Sequence, residues 1–201
     1  MPAPDNAALR KALRKEKIKA REALTLQERA EKSRSICAHI LQTPEWKRAK
    51  MVMIYKFVKG EVQLKAMEEA NEALPEEERK TLLYPLCIED RGMLAIAPGS
   101  FDMNSPAWKK GAFGIPEPVP EQGKVVSPQD IDLVISPCSS FDETFMRLGM
   151  GGGYYDRYLP RCTKADVMLV AFECQRAERI PAEDWDVPVP CIVTEERILR
   201  R

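Results

Sequence analysis

Short apolar segments separated by helix-forming stretches constrain the fold of this chain more than any other feature. They lie at 51–57, 81–88, 131–136, 167–172 and 191–194, with a weaker segment at 93–97. Apolar runs of four to eight residues suit strands that are buried on both faces. Their alternation with helices is typical of a parallel sheet that is covered on both sides. The pattern therefore predicts an α/β fold with a mainly parallel sheet.

Two helices are predicted ahead of the first strand, over 5–42. Asp5 can cap the first helix, and Thr25 with Glu28 has the spacing of a capping box that starts the second. Apolar residues recur at helical spacing along the first helix and are expected to face inward. They are Leu9, Leu13, Ala20 and Leu24.

No repeat, linker or low-complexity segment divides the chain, so one domain is expected over 1–201. Within it, the helices of 1–45 would pack on an α/β core of 50–201. Segments 62–73 and 153–161 are predicted to be helical. The stretch 98–130 is rich in proline and glycine and is predicted to be irregular.

Charge and hydropathy exclude several classes of protein. The chain has 31 basic and 31 acidic side chains, and a zero net charge argues against a dedicated nucleic-acid binder. Its longest apolar runs, 51–55 and 167–172, are far shorter than the ~20 residues of a membrane span. The basic N-terminal residues precede no apolar segment, so a secretory signal is not expected. We expect a cytoplasmic monomer that binds neither nucleic acid nor a membrane.

The cysteines and the single histidine restrict the chemistry. Six cysteines without CxxC spacing are predicted to be free and mostly buried thiols. His39 lies among charged residues and is predicted to be a surface position. One histidine makes a Ser-His-Asp triad or a multi-histidine metal site improbable. The chemistry must then use carboxylates, cations, backbone amides or a metal held by oxygen atoms.

The segment RLGMGGGYYDRYL, from Arg147, is the most informative. Four of the ten glycines of the chain fall within 149–153. Glycines allow positive φ and close approach to a ligand, and a glycine turn before a helix presents N–H groups to an anion. Arg147 can fork onto phosphate oxygens. The spacing matches neither a Walker A loop nor the dinucleotide fingerprint, so we predict a different phosphate loop. A flexible turn is the alternative.

Three further features permit two interpretations each. Asp156 could ligate magnesium beside phosphates or could only complement a helix dipole. Arg10, Arg14, Lys17 and Arg21 share one face of the first helix, which could be solvated or could reach a polyphosphate. Glu61 follows a strand, where open α/β sheets place ligand contacts, but exposed carboxylates are common there.

Taken together, these segments resemble the 5-formyltetrahydrofolate cyclo-ligase family, also called 5,10-methenyltetrahydrofolate synthetases. The glycine-tyrosine segment carries most of the resemblance. Leu13-Arg14, Gly60-Glu61, the GIPEP segment at 114–118, and Asp186 followed by IVTE at 192–195 match in order and spacing. The resemblance covers nearly the whole chain. It departs from the family at Gly152, Trp185 and Pro190, where lysine, histidine and aspartate, respectively, are found in other members.

The resemblance implies a three-layer α/β/α sandwich and an enzyme that uses ATP and Mg²⁺ to close 5-formyltetrahydrofolate to 5,10-methenyltetrahydrofolate. It implies catalytic roles for Arg147, Tyr154 and Tyr155. The metal would be served by Asp156 and Asp186. Folate would contact Glu61, Phe113, Tyr154 and Tyr155. ATP would contact Arg10, Lys11, Arg14, Arg147, Gly149, Met150, Gly151, Gly152, Gly153, Tyr154 and Tyr155.

Two other classes of function stay open from the residues. One is a different enzyme on a similar scaffold, such as a sugar-phosphate isomerase or a CoA transferase, because fold does not determine function. The other is an RNA-binding protein that uses its basic N-terminal helix. That interpretation predicts an affinity that falls steeply with salt and does not depend on folate.

Overall fold

The computed structural model describes residues 5–58, 60–88, 92–111 and 114–201. Its helices are α1 Asn6–Glu22, α2 Leu26–Gln42, α3 Pro44–Arg48, α4 Lys65–Glu72 and α5 Tyr154–Tyr158. Its strands are β1 Met51–Met53, β2 Thr81–Ile88, β3 Gly92–Pro98, β4 Trp108–Lys110, β5 Pro116–Pro118, β6 Gly123–Val126, β7 Leu133–Pro137, β8 Ser140–Phe141, β9 Arg147–Leu148, β10 Asp166–Val170, β11 Cys191–Val193 and β12 Ile198–Arg200.

In the described part of the chain, eight strands form one sheet in the order β12-β11-β10-β7-β1-β2-β3-β6. The neighbours from β11 to β2 all pair in parallel. The outer pairs β11-β12, β2-β3 and β3-β6 are antiparallel. The mainly parallel α/β sheet predicted from the apolar runs is confirmed.

Alternating side chains of the central strands pack into two different cores. Val52 of β1 joins a cluster with Ile36 and Ile40 of α2 and Met67 of α4. Its neighbour Met53 points to the opposite face. There it joins a cluster that includes residues of α5 and the turn after it. Because helices cover both faces of the sheet, the fold is the three-layer sandwich that the family resemblance implies.

The stretch 98–130 is more ordered than its sequence indicates. It contains β4 and β5, which pair with each other, and β6, which pairs with the edge strand β3. The prediction of an irregular excursion is wrong here: β4 and β5 are short strands that stabilise each other, and β6 gains its structure from the more distant β3. The strand predicted over 51–57 is also shorter, since regular pairing ends at Met53 and Ile54 adds one bond to Leu83.

Several local predictions are confirmed. The Asp5 carboxylate accepts the Ala7 N–H, and Thr25 and Glu28 exchange the two hydrogen bonds of a capping box. All six cysteines lie in described segments as free thiols, four of them buried. His39 departs from the predicted surface position: it is half-buried, with Nδ1 3.0 Å from the Thr194 carbonyl. None of the described helices is long and apolar enough to cross a bilayer.

Candidate functional site

The sheet has a topological switch point between β1 and β7. The chain leaves β1 to form β2 on one side and later returns to form β7 on the other. In open α/β sheets this arrangement opens a crevice at the carboxyl ends of the two strands. Glu61 follows β1 and Cys138 follows β7, and both residues are buried. The crevice is therefore where the predicted site residues should meet.

The basic face of α1 turns toward this crevice instead of toward solvent. The Arg14 Nε–H donates to the Gly149 carbonyl at 2.8 Å. Arg21, in the last turn of α1, donates to the Cys138 carbonyl at 3.1 Å. Leu9, predicted to face inward, is 42% exposed. The prediction that the apolar residues of α1 face inward is thus wrong for Leu9. The helix is instead oriented so that its arginines donate to backbone carbonyls of the protein.

Two glycines of the loop at 149–153, which was predicted to bind phosphate, require their residue type. Gly151 has φ +100° and Gly153 has φ +66°, a region that side chains with a Cβ rarely adopt. A Cβ at Gly151 would lie 3.8 Å from the Arg14 Cζ. The loop backbone and the Arg14 guanidinium consequently face each other closely enough to contact one anion together.

Arg147 brings a second, buried cation to the loop. The residue is 4% exposed, and its Nη2 lies 2.8 Å from the Asp156 Oδ1. Its Nε is buried and has no hydrogen-bond partner among the residues that the structure describes. A buried guanidinium donor without an acceptor is destabilising unless a ligand or water supplies one. Its position fits an anionic ligand.

The two predicted metal ligands differ in how they are already engaged. Asp186 accepts hydrogen bonds from both terminal nitrogens of Arg10, and its Oδ2 also accepts the Glu183 N–H at 2.9 Å. Burial opposes ionisation, but these hydrogen bonds hold the pKa of Asp186 below its ordinary value. Asp156 pairs through Oδ1 with Arg147. Within the described ranges, no group of three or more His, Cys, Asp or Glu side chains is placed to hold a metal.

Glu61 forms the other end of the crevice. It is 6% exposed, accepts the Val58 N–H at 3.0 Å, and lies 3.8 Å from the Arg21 guanidinium. Burial raises the pKa of this carboxyl, whereas the Val58 N–H and Arg21 lower it. The hydroxyl of Tyr155 is also buried and unpartnered within the described residues. Burial, and then the charge of Glu61, raise the pKa of Tyr155.

Buried polar residues that the sequence analysis did not single out support this geometry. The Gln175 Nε2 donates to the Cys138 and Ser139 carbonyls at 2.9 and 3.1 Å. The Ser139 hydroxyl donates to the Leu148 carbonyl at 2.9 Å, which holds the start of the glycine loop. Their contacts span up to 37 residues of sequence, so no local motif marks them. Arg21 lies on the basic helix face singled out from the sequence, but its burial and its Cys138 partner are not visible in that pattern.

The structure brings many of the predicted residues together around the glycine loop. Arg10, Arg14 and Arg147 gather around the glycine loop with the two aspartates. Tyr154 is half-buried, with Arg157 5.8 Å from its ring centroid, and Lys11 and Met150 are exposed. Phe113 lies outside the described residues.

A family model described as "5-formyltetrahydrofolate cyclo-ligase family" matches residues 6–195. The chain belongs to the 5-formyltetrahydrofolate cyclo-ligase family. A family member from Haemophilus influenzae, named 5-formyltetrahydrofolate cyclo-ligase, is 31% identical over 192 residues, covering 92% of this chain and 96% of the relative. The family resemblance of the sequence is thus confirmed.

Solved structures related to this cyclo-ligase family agree. The structure of the Aquifex aeolicus 5,10-methenyltetrahydrofolate synthetase has a TM-score of 0.79 at 36% identity, covering 96% of this chain and 92% of that one. A 5,10-methenyltetrahydrofolate synthetase from Mycoplasma pneumoniae has a TM-score of 0.73 at 24% identity, covering 92% and 98%. The second likeness shows the fold alone.

Proposed function

We propose that this protein closes 5-formyltetrahydrofolate to 5,10-methenyltetrahydrofolate with ATP as co-substrate and Mg²⁺ as the metal, releasing ADP and phosphate. One observation supports this most: in a cyclo-ligase family member, a cationic glycine loop and a buried carboxylate share one crevice. A monomer in the cytoplasm stays the expectation from the sequence.

The nucleotide end of the crevice suits polyphosphate. Arg14 and Arg147 approach the glycine loop from two sides, and the Arg147 Nε lacks an acceptor within the described residues. Charge-assisted hydrogen bonds from arginine to phosphate are among the strongest in proteins. We assign these arginines and the backbone of 149–153 to the phosphates, with Arg10, Lys11 and Tyr154 at the edge of the nucleotide site.

A magnesium ion fits this end only with ligands from the nucleotide. Mg²⁺ is usually held by one or two carboxylates together with phosphates and waters. Asp156 uses one oxygen for Arg147, whereas Asp186 uses both for Arg10 and Glu183. We therefore assign the metal to Asp156 and propose that Asp186 acts mainly by holding Arg10. When bound, the metal neutralises charge on the transferred phosphoryl group.

The folate end suits the pterin ring. A pterin edge presents adjacent N–H donors, and a carboxylate can accept two of them at once. Glu61 is buried in the crevice, and the Tyr155 hydroxyl lies in the same surroundings. We assign Glu61 to these donors and Tyr154, Tyr155 and Phe113 to the flanks of the ring.

The proposed chemistry requires positioning more than proton transfer. The formyl oxygen attacks the γ-phosphorus of ATP, and the bond from that phosphorus to the bridging oxygen breaks, so ADP leaves. N10 then attacks the activated carbon and loses its proton. Phosphate leaves with the formyl oxygen, and the methenyl bridge remains. Arg147 and Arg14 would stabilise charge on the phosphoryl group, so no histidine is required.

The reaction is tested directly by mixing protein, 5-formyltetrahydrofolate, ATP and Mg²⁺ and recording methenyl absorbance with ADP release. We expect one ADP per methenyl product, and no product without ATP or a divalent cation. Methenyl product without ATP, or a rate of ATP hydrolysis that does not depend on 5-formyltetrahydrofolate, would contradict the proposal. Sugar-phosphate isomerisation, CoA transfer or salt-sensitive RNA binding in place of this reaction would support the other interpretations.

Two variants separate the phosphate contact from the metal contact. Arg147→Ala should raise the KM for ATP and lower kcat, and raising Mg²⁺ should not restore either, because the lost group is a cation. Asp156→Asn keeps the size but loses the charge, so raising Mg²⁺ should partly restore kcat/KM. If Asp156 only complements the helix dipole and pairs with the buried Arg147, Asn should lower stability, and raising Mg²⁺ should not change the kinetics. Thermal melts with a magnesium titration distinguish the two outcomes.

A further inference from the structure

Arg21 is the largest of the fully buried side chains among the described residues, with 1% of its surface exposed. Burying a guanidinium is costly unless charged and polar partners compensate for its lost hydration. Arg21 has such partners from two elements: the Cys138 carbonyl after β7 and the Glu61 carboxylate after β1. The fold thus accepts a buried charge at one specific position beside Glu61.

Arg21 supplies a positive charge beside Glu61, whereas three other titratable groups near this carboxylate are uncharged. Tyr55 follows β1, Cys138 follows β7 and Tyr155 lies in α5; each interacts electrostatically with Glu61. Burial raises the pKa of both tyrosines, and it raises the pKa of Cys138 to about 12. All three are therefore uncharged near neutral pH. Burial raises the pKa of Glu61; the hydrogen bond from the Val58 N–H opposes this first and the charge of Arg21 second, and of these two only Arg21 is an ion.

We propose that Arg21 is a positioning residue that keeps Glu61 ionised and oriented to accept the N–H donors of the folate ring, an inference that rests on the proposed function. The Cys138 carbonyl fixes the guanidinium on its other side. Gln175 in turn holds that carbonyl through its Nε2. The orientation of Glu61 is thus built from residues of three separate elements.

The position of Arg21 on α1 gives this role a second consequence. Arg14 contacts the glycine loop and Arg21 contacts Glu61, seven residues apart on one helix, which is roughly 10 Å of axial rise. One rigid element therefore sets the distance between the nucleotide end and the folate end of the crevice. A change at Arg21 should act on folate, whereas a change at Arg14 should act on ATP.

The principal test measures the pH dependence of kcat/KM for 5-formyltetrahydrofolate in Arg21→Gln, which keeps a hydrogen-bond donor but loses the charge. Without the cation, Glu61 should hold its proton to higher pH, so the acidic limb of the profile should move upward. The KM for folate at neutral pH should rise at least tenfold, while the KM for ATP changes less than twofold. Arg21→Lys restores the charge and should return the limb toward its wild-type position.

A matched control is Arg14→Gln, the same substitution seven residues earlier on α1. It should raise the KM for ATP and leave the acidic limb of the pH profile at its wild-type position. Glu61→Gln should remove the acidic limb from the pH profile. The double variant that also carries Arg21→Gln should have the same profile as Glu61→Gln alone. If Glu61→Gln leaves the KM for folate unaltered, the proposed function of Glu61 fails. If Glu61→Gln has its effect but the limb of Arg21→Gln stays at the wild-type pH, only the inference about Arg21 is overturned.

A measurement on the wild-type protein keeps the inference testable if Arg21→Gln does not fold. Carbon-13 NMR of the glutamate carboxyl groups, with the Glu61 signal assigned from its loss in Glu61→Gln, reports the protonation state directly. We expect the signal of a carboxylate at pH 7.5. The signal of a protonated carboxyl at that pH would overturn the inference.

Discussion

Gly151→Ala tests the phosphate loop at its most constrained residue. Gly151 has φ +100°, where a residue with a Cβ is strained by about 1–2 kcal/mol. The added Cβ would be in ordinary contact with Arg14, at 3.8 Å from Cζ, so no clash adds to the strain. For a chain of this size, 1 kcal/mol corresponds to about 2–4 °C. The melting temperature should therefore fall by roughly 2–8 °C.

The same methyl group should weaken nucleotide binding by more than the strain explains. It occupies the space between the loop and the Arg14 guanidinium, where a phosphate oxygen would sit. Losing one charge-assisted contact corresponds to about 1.5–3 kcal/mol, or roughly 10- to 100-fold in ATP affinity. Isothermal titration with a non-hydrolysable ATP analogue measures this directly.

Gly149→Ala provides the matched control in the same loop. Its φ lies outside the left-handed region, and an added Cβ would meet nothing within 4 Å. This variant should melt and bind the analogue like the wild type. Equal behaviour of the two variants, whether both are harmful or both silent, would refute the assignment of a specific backbone requirement to Gly151.

Three other expectations follow from burial and charge. Asp186→Asn should destabilise the protein most near neutral pH; the wild-type carboxyl has a lowered pKa, so its stabilisation is lost as the pH falls below about 4, and denaturation at pH 7 and pH 3 compares the two. Ile36→Ala should lower the free energy of unfolding by about 2–5 kcal/mol in urea with an unchanged m-value, because Ile36 is 0% exposed. Trp185→Phe should remove nearly all fluorescence that acrylamide quenches readily, since Trp185 is 69% exposed and the other two tryptophans at most 7%.

The parts of the fold that the sequence predicts are those that local pattern decides. The strand at 81–88 matches its predicted bounds, because its apolar centre is buried inside the sheet while its ends are exposed. β6 is mostly exposed and was missed, since its pairing with β3 supplies what its own residues lack. β12 at 198–200 was missed for the same reason, because its structure comes from the antiparallel partner β11.

The candidate site divides in the same way. The glycine loop could be found from composition alone, since four glycines in five residues have few structural explanations. The orientation of α1 could not, because its arginines contact carbonyls more than 100 positions away in sequence. A helical pattern places Leu9 and Leu13 inward by hydrophobicity, and Leu13 does pack against Leu148, Ala177 and Ile180, whereas Leu9 is exposed. The structure instead satisfies a row of backbone acceptors that no local pattern displays.

The contacts that hold α1 on the sheet determine how ionic strength and nucleotide concentration affect the local stability of the N-terminal helix. Arg21 is the single buried residue of this helix, which is described in full, and ion pairs and hydrogen bonds supply much of its attachment. Salt screens the exposed part of such contacts, and segments with little apolar burial open before the rest of a domain unfolds. Salt should therefore expose the helix to proteases while the sheet stays folded. A polyphosphate that binds only the closed state would raise the free energy of this opening by about 2.7 kcal/mol at 100 times its Kd. The nucleotide concentration would then determine how fast proteases cut the N-terminal helix.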